Sequence, residues 1–226
     1  MSHRPWAALL GFGAAWTVLA GVPAAQALPA EDVARALQAR YDTILDFSAD
    51  FLQAYRGGIL PQTTIERGRL EVKRPGRMRW EYQVPELKLL VGDGRKLYFY
   101  VPADRQVLVH DVPEDDRATT GALFLAGKGN LLRDFTVSFD RLDQVPPDLT
   151  VLRLTPRRAE PEYAWLMLAF DPRTLQIRTM VQLDAQGGQS TFTFTNVKEN
   201  VGIADNHFTF SIPRGVDVVT DRVGNP

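Results

Sequence analysis

Residues 68–82 read GRLEVKRPGRMRWEY, and this stretch decides the fold. Apolar and charged residues alternate on both sides of Pro75-Gly76. Alternation of this kind is typical of antiparallel strands with one buried face and one solvent face, and Pro-Gly indicates a turn. The stretch therefore predicts a β-hairpin whose large side chains share one apolar face. These side chains are Leu70, Val72, Met78, Trp80 and Tyr82.

The sequence on either side of this hairpin extends the same pattern. Residues 29–45 place apolar side chains at helical spacing and predict one helix, and the glycine-interrupted apolar residues 119–126 predict a second, short one. The other apolar or alternating runs predict strands at 47–53, 87–91, 96–100, 106–110, 135–139, 150–155, 163–170, 175–183, 190–196 and 208–210. We expect a mainly β protein with some α (α+β), an incomplete antiparallel β-barrel of about 11 strands with helices on one face.

The N-terminal residues 1–27 have the features of a removable secretory signal. Arg4 supplies a short basic start, residues 7–22 are apolar, and Ala25-Gln26-Ala27 is a small-x-small cleavage site. The apolar run is shorter than the ~20 residues that a membrane span needs. We expect an exported protein that is cleaved after Ala27 and forms one soluble domain over residues 28–226. An uncleaved N-terminal anchor is the alternative.

The composition excludes several kinds of site. Lys and Arg number 26 against 27 Asp and Glu, a balance that favours neither nucleic acid nor an anionic membrane as partner. Cysteine is absent, which excludes disulfides, thiolate metal sites, a cysteine nucleophile and thioether-linked lipidation. His110 and His207 have no metal-ligand spacing, and no serine lies in a Gly-x-Ser-x-Gly motif. We expect no metal, no cofactor and no enzymatic activity.

The apolar face of the hairpin has two interpretations at this point. Leu123 and Phe124 of the short helix either cover Met78 and Trp80 as an ordinary core, or enclose with them a cavity for a hydrophobic ligand.

Arg74 is ambiguous in the same way, because the alternation that points Val72 inward also points Arg74 inward. A guanidinium there needs partners. It is either a strand-end arginine that reaches solvent or a latch that donates hydrogen bonds to backbone carbonyls of a covering helix.

Several ordered segments point to a known family. They are 47–53 (FSADFLQ), 68–82 with Pro85, 89–94 (LLVGDG), 97–100 (LYFY), 106–107, 122–127, 208–210 (FTF) and 213–219 (PRGVDVV). With these segments the chain resembles the LolA family, the periplasmic carriers that take lipoproteins to the bacterial outer membrane. The resemblance covers essentially all of residues 28–226, and residues 73–82 (KRPGRMRWEY) are its most specific part.

The resemblance implies a helical lid over a hydrophobic cavity that holds the acyl chains of a lipoprotein. Arg74 matches the arginine that ties the lid shut, with backbone carbonyls near Tyr41, Leu125 and Ala126 as its expected partners. The expected acyl-chain contacts are Leu70, Val72, Met78, Trp80, Tyr82, Leu123 and Phe124. Tyr98 stands where many members have Trp, and the lid is rich in Gly and Ala.

The resemblance also implies the partners. Acylated lipoproteins are the cargo, an ABC-type transporter in the inner membrane loads the carrier, and an outer-membrane lipoprotein receptor of similar fold unloads it. That receptor is anchored through an N-terminal cysteine, and this chain has no cysteine. We therefore expect a periplasmic chaperone that shuttles between the membranes. We also expect it to be a monomer.

Two other functions remain open from the sequence. One is a lipid-binding or lipid-sensing periplasmic module of the same fold without delivery activity, which would not exchange cargo with a transporter and a receptor. The other is a periplasmic hydrolase, although the sequence shows no constellation of nucleophile, base or metal for it.

Overall fold

The computed structural model describes residues 28–59, 62–112 and 120–220. The predicted signal peptide, residues 1–27, lies outside the described residues. One sheet dominates the described ranges, and its strands follow in chain order: β1 (Asp46–Arg56), β2 (Thr63–Lys73), β3 (Arg77–Val84), β4 (Lys88–Asp93), β5 (Lys96–Val101), β6 (Gln106–Asp111), β7 (Phe135–Phe139), β8 (Thr150–Pro156), β9 (Trp165–Phe170), β10 (Ile177–Leu183), β11 (Gln189–Glu199) and β12 (Asp217–Thr220).

Over the described residues the sheet has 12 strands, in the order β12-β6-β5-β4-β3-β2-β1-β11-β10-β9-β8-β7. Strands β1 to β6 form one antiparallel meander and β7 to β11 form another. Pairing of β1 with β11, which are distant in sequence, joins the two meanders. Because β7 and β12 are the two edges of this order, the sheet is open. The expectation of a mainly β protein whose barrel is incomplete is confirmed, since the sheet is not closed and all its pairs except β12 with β6 are antiparallel.

The hairpin formed by β2 and β3 has the register that its alternation predicts. Leu70 lies opposite Trp80 and Val72 lies opposite Met78, so these four side chains project from the same face. Leu70, Val72 and Met78 are 0% exposed and Trp80 is 2% exposed. Residue types that alternate with period two thus determine which side of the sheet becomes its apolar interior.

In the part of the chain that the structure describes, three α-helices pack against this interior face: α1 (Ala30–Asp42), α2 (Gly121–Leu125) and α3 (Leu131–Asp134). Helix α1 begins after Pro29 and buries Ala34, Leu37 and Tyr41. Of the stripe expected from the sequence (Val33, Leu37, Tyr41 and Ile44), Val33 is only partly buried and Ile44 lies beyond the end of the helix. Helix α2 is capped by Thr120, whose Oγ1 accepts a hydrogen bond from the amide of Leu123 at 3.1 Å. Both the first helix and the short one are where the sequence predicted them.

The end of the chain departs from the prediction. The strand expected at residues 208–210 is absent from the part of the chain that the structure describes, and Asp205–Phe208 form a 3₁₀ turn instead. Strand β12 pairs with β6 in parallel, so the sheet is not antiparallel throughout. A parallel pair requires a crossover connection. Alternation within a strand carries no information about such a connection.

A buried carboxylate holds the segment that follows β11. Asp46 is 5% exposed and accepts hydrogen bonds from the backbone amides of Val201, Gly202 and Ile203 at 2.8 to 3.2 Å. Lys73 then donates to the carbonyl of Ile203 at 2.8 Å. These contacts attach residues 201–203 to the ends of β1 and β2.

Candidate functional site

The side chains predicted to contact acyl chains share one apolar surface between the sheet and α2. They are Leu70, Val72, Met78, Trp80, Tyr82, Leu123 and Phe124. All except Tyr82 are at most 4% exposed, and Tyr82 is partly buried at the end of the row. The Tyr82 hydroxyl donates a hydrogen bond to Oε1 of Gln53 at 3.1 Å. Helix α2 therefore covers a continuous apolar surface of the sheet.

An aromatic cluster at the centre of this surface was not predicted from the sequence. The ring centroid of Trp80 lies 5.1 Å from that of Phe51, 5.4 Å from Phe192 and 6.4 Å from Phe194. Alternation along 190–196 indicates a strand but does not say which strand is its neighbour. Pairing of β1 with β11 brings Phe192 and Phe194 to the hairpin, so only the tertiary structure shows this cluster.

Arg74 lies between α1 and residues 122–127, the segment that the family resemblance identifies as the lid, and this is where the sequence placed a candidate latch. Its guanidinium Nη1 donates a hydrogen bond to the backbone carbonyl of Tyr41, and Nη2 lies 3.2 Å from Oδ1 of Asp42. The guanidinium carbon also lies 4.9 Å from the centre of the Tyr41 ring, a cation–π distance. Arg74 is therefore bound to the C-terminal end of α1, and its side chain is only 16% exposed.

The lid carbonyls have donors other than Arg74. The hydroxyl of Tyr41 donates to the carbonyl of Leu125, and the amide of Gly76 donates to the carbonyl of Ala126 at 2.8 Å. The expectation that Arg74 itself donates to the carbonyls of Leu125 and Ala126 therefore differs from the structure. The four latch residues do come together, but Tyr41 connects Arg74 to the lid. Its carbonyl is bound to Arg74 and its hydroxyl to the lid.

Gly127 allows the lid segment to approach Arg74 closely. Its φ of +80° lies in the left-handed region that favours glycine. A Cβ at this position would lie 2.0 Å from Nε of Arg74, closer than any contact allows. This contact was not predicted from the sequence, although glycine just after a short helix is a common C-terminal signal.

The Tyr41 hydroxyl stays protonated over the pH range of living cells. Burial raises the pKa of Tyr41 well above its usual value, the nearby Arg74 cation partly opposes this rise, and Glu199 adds to it. A neutral phenol is the form that donates a hydrogen bond. The contact between α1 and the lid is therefore insensitive to pH near neutrality.

A narrow pocket of about 30 Å³ lies beside this contact. It is lined mainly by apolar side chains, among them Tyr41, Phe47, Leu125, Ile177 and Phe194. This volume is on the scale of a water molecule, whereas sites for drug-sized ligands hold about 300–1,000 Å³. With α2 in this position, this pocket is too small to hold an acyl chain.

Two other features bear on the kind of site. Across the described ranges, no group of three or more His, Cys, Asp or Glu side chains is arranged to hold a metal ion. Among the same residues, no helix has the length and apolar character that crossing a bilayer requires.

Comparison with known proteins gives the family. Residues 42–211 match the family described as outer membrane lipoprotein carrier protein LolA. The chain belongs to this family. The resemblance drawn from residues 68–82 and the other segments is thus confirmed. The matched range contains Arg74, the hairpin and the lid, and it begins one residue after Tyr41.

Relatives within the LolA family match over most of their length. The outer-membrane lipoprotein carrier protein of Chromohalobacter salexigens is 30% identical over 210 residues, which cover 91% of this chain and 97% of the relative. The protein of the same name from Pseudomonas syringae pv. tomato is 31% identical over 192 residues, 84% of this chain and 89% of the relative. An uncharacterized conserved protein from Thermus thermophilus, whose crystal structure is known, is 12% identical with a TM-score of 0.51, over 83% of this chain and 98% of that chain. At this identity the likeness shows the shared fold alone.

Proposed function

We propose that this chain carries outer-membrane lipoproteins by enclosing their acyl chains between the sheet and the lid. The observation that carries the proposal is the continuous apolar surface under α2, a helix of only 5 residues. The carrier function named for its relatives supports it, since they match over most of this chain. Because α2 is short and is held by only a few contacts of its own, a hydrocarbon chain can displace it and bind to the apolar surface in its place.

The energetics of lipid transfer require such a cover. Each CH₂ of an acyl chain costs about 0.8 kcal/mol to expose to water, so a long chain costs on the order of 10 kcal/mol. A free lipoprotein would therefore remain in its membrane or aggregate. A soluble shield for the acyl chains is needed at every moment between the two membranes.

The closed lid limits how tightly cargo is held. Leu123, Phe124 and Leu125 are nearly fully buried, and each such side chain contributes about 1.5–3 kcal/mol by its burial. An incoming acyl chain must displace these side chains and the hydrogen bonds of Tyr41 and Gly76. Binding is thus an exchange of one set of apolar contacts for another, which keeps the affinity low enough for release to a receptor.

Arg74 strengthens the closed state through Tyr41. Its hydrogen bond to the Tyr41 carbonyl and its position over the Tyr41 ring hold the residue whose hydroxyl binds the lid. Charge-assisted hydrogen bonds contribute about 1.5–3 kcal/mol each. Arg74 is therefore the residue we expect to set the ease of cargo release, with Tyr41, Leu125 and Ala126 completing the latch.

The proposed cycle takes place in the periplasm. Residues 1–27 direct export and are removed after Ala27, and residues 28–226 act as one monomeric, non-enzymatic domain. An ABC-type transporter of the inner membrane loads it with acylated lipoprotein, and a lipoprotein receptor at the outer membrane unloads it.

The direct test is mass spectrometry of the protein isolated from its own periplasm. The expected result is a co-purifying triacylated protein, and its consistent absence would contradict the proposal. A purified transfer assay then separates carriage from mere lipid binding. A protein that binds acylated cargo but never delivers it to the receptor would be the lipid-binding or lipid-sensing module instead.

The variant Arg74→Leu examines the latch in the same transfer assay. It should load cargo and release it poorly. Opening the lid no longer requires breaking the contacts of Arg74, so lid closure competes less with the bound acyl chain and the carrier holds its cargo more tightly. Arg35→Leu is the matched control: Arg35 lies on α1 with its side chain 69% exposed and pairs only loosely with Asp32 at 4.0 Å. Equal delivery by Arg74→Leu and Arg35→Leu would exclude Arg74 from release.

A further inference from the structure

The indole N–H of Trp80 is buried without a hydrogen-bond partner among the described residues. Trp80 is 2% exposed, so solvent does not reach this donor in the closed state. Two other polar aromatic side chains in the same apolar cluster do have partners. The hydroxyl of Tyr41 binds the Leu125 carbonyl, and that of Tyr82 binds Gln53. Trp80 is therefore an exception within its own surroundings.

An unsatisfied buried donor destabilises the closed state and needs a reason. Most buried polar groups in native proteins are hydrogen-bonded, because the loss of water is otherwise uncompensated. Phenylalanine at position 80 would supply an aromatic ring without a buried donor. The rings of Phe51, Phe192 and Phe194 next to Trp80 offer only the weak acceptor of an aromatic face.

The location of the donor suggests what satisfies it. Trp80 belongs to the same buried apolar cluster as Leu123 and Phe124 of α2, and it lies between Leu70 and Leu90 of the neighbouring strands. A hydrocarbon chain has no acceptor, but an acyl chain has one at its end, the carbonyl oxygen of its ester or amide. An indole N–H donates and cannot accept, so it is complementary to this group.

We propose that the Trp80 indole N–H donates a hydrogen bond to the ester or amide carbonyl of a bound acyl chain once the lid opens. This inference rests on the proposed function, because acylated cargo brings the carbonyl to this surface. The hydrogen bond distinguishes acyl chains from plain hydrocarbon. It also fixes how deeply the chain enters, since the carbonyl must stop beside Trp80.

A pair of lipids that differ only in the carbonyl tests the inference. Dipalmitoylglycerol has two ester carbonyls, and di-O-hexadecylglycerol replaces them with ether CH₂ groups. The exported protein should bind the ester lipid roughly fivefold to tenfold more tightly, the ratio that one net hydrogen bond gives. The variant Trp80→Phe should bind both lipids equally. Phe192→Leu is the matched control in the same cluster, and it should weaken both lipids while keeping the preference.

Nuclear magnetic resonance of the unmutated protein gives a second measurement that does not depend on a variant that folds. Beyond residue 27 the sequence has two tryptophans, Trp80 and Trp165. Trp165 packs in a separate cluster with Arg153 over its ring at 4.6 Å, so its indole signal is an internal reference. The ester lipid should move the Trp80 indole proton downfield, and the ether lipid should not.

Equal affinity of the unmutated protein for both lipids would overturn the inference. The inference would also be overturned if Trp80→Phe kept the preference for the ester lipid. The same holds if both lipids shifted the Trp80 indole signal equally. If neither lipid binds the unmutated protein, acyl binding itself fails, and the inference fails with it.

Discussion

Replacement of Tyr41 by phenylalanine isolates the hydrogen bond that holds the lid. The variant keeps the ring, its stacking on Phe124 at 6.2 Å and its position under Arg74 at 4.9 Å. It removes the hydroxyl that donates to the buried carbonyl of Leu125. A buried acceptor left without its donor costs about 1–3 kcal/mol. Since the bond forms only with the lid closed, the whole cost falls on the closed state.

The expected shift in the lid equilibrium is about 5-fold to 150-fold toward the open state, at 1.4 kcal/mol per tenfold. In the proposed mechanism, an acyl chain binds only where the lid is displaced. While the closed state predominates, the apparent affinity for an acyl chain therefore rises by the same factor. Titration with dipalmitoylglycerol measures this rise, and delivery to the receptor should slow.

Hydrogen exchange at the Gly76 amide reports lid opening directly. This amide donates to the Ala126 carbonyl at 2.8 Å, so it is protected only while the lid lies on the hairpin turn. Its exchange in Tyr41→Phe should accelerate by about the same 5-fold to 150-fold. Tyr82→Phe is the matched control, because its hydroxyl binds Gln53 on the sheet and not the lid. Unchanged Gly76 exchange in Tyr41→Phe would refute this account of the latch.

Four further outcomes follow from the contacts described above. Arg74→Lys keeps the charge but loses the planar, forked geometry, so its delivery to the receptor should lie between that of the unmutated protein and Arg74→Leu; delivery equal to the unmutated protein would contradict this. Met78→Glu puts a carboxylate at a position that is 0% exposed. It should abolish loading in a cargo pull-down and lower the free energy of unfolding by on the order of 3–5 kcal/mol. The control variant Met78→Leu should load normally. Asp46→Asn weakens the hydrogen bonds to the amides of residues 201–203. Urea denaturation should show a free energy of unfolding that is lower by about 2–3 kcal/mol, while hydrogen exchange at the Gly76 amide stays unchanged. A decrease below measurement error would show that these bonds are dispensable. Lys73, which binds the Ile203 carbonyl, also places its Nζ 2.5 Å from Oδ1 of Asp205, and this hydrogen bond lowers the pKa of Asp205. The contact is therefore complete above the ordinary aspartate pKa of about 4 and is lost as pH falls through the lowered value. A carboxyl titration of Asp205 by nuclear magnetic resonance with a midpoint at or above about 4 would disprove this.

The local elements of the fold were predictable from the sequence because their signals are local. The alternation around Pro75-Gly76 predicts both strands of the hairpin and the side of the sheet that becomes buried. The spacing of apolar residues predicts α1, and the apolar run before Gly127 predicts α2. Each of these patterns lies within about a dozen residues, the range over which strand and helix periods are visible.

The strands whose neighbours are distant in sequence were less predictable. Phe208 and Phe210 have the spacing of a strand, but the chain forms a 3₁₀ turn there. The parallel pairing of β12 with β6 has no local signal either. In both cases contacts with other parts of the sheet decide the conformation, and these contacts outweigh the local preference.

In the candidate site too, local features were predictable from the sequence and contacts between distant residues were not. By itself, the sequence determined that one sheet face is apolar and that a short helix follows the first six strands, because periodicity assigns residues to faces and elements. It left open whether Arg74 reaches solvent or holds a covering helix. Only the tertiary structure decided that Tyr41 lies between Arg74 and the lid, that Phe192 and Phe194 surround Trp80, and that the indole N–H has no partner among the described residues. The physical reason is that hydrogen bonds and ring contacts depend on distances of a few ångströms between residues that are far apart in the chain. These distances are set only when the two meanders pair and the helices pack against them.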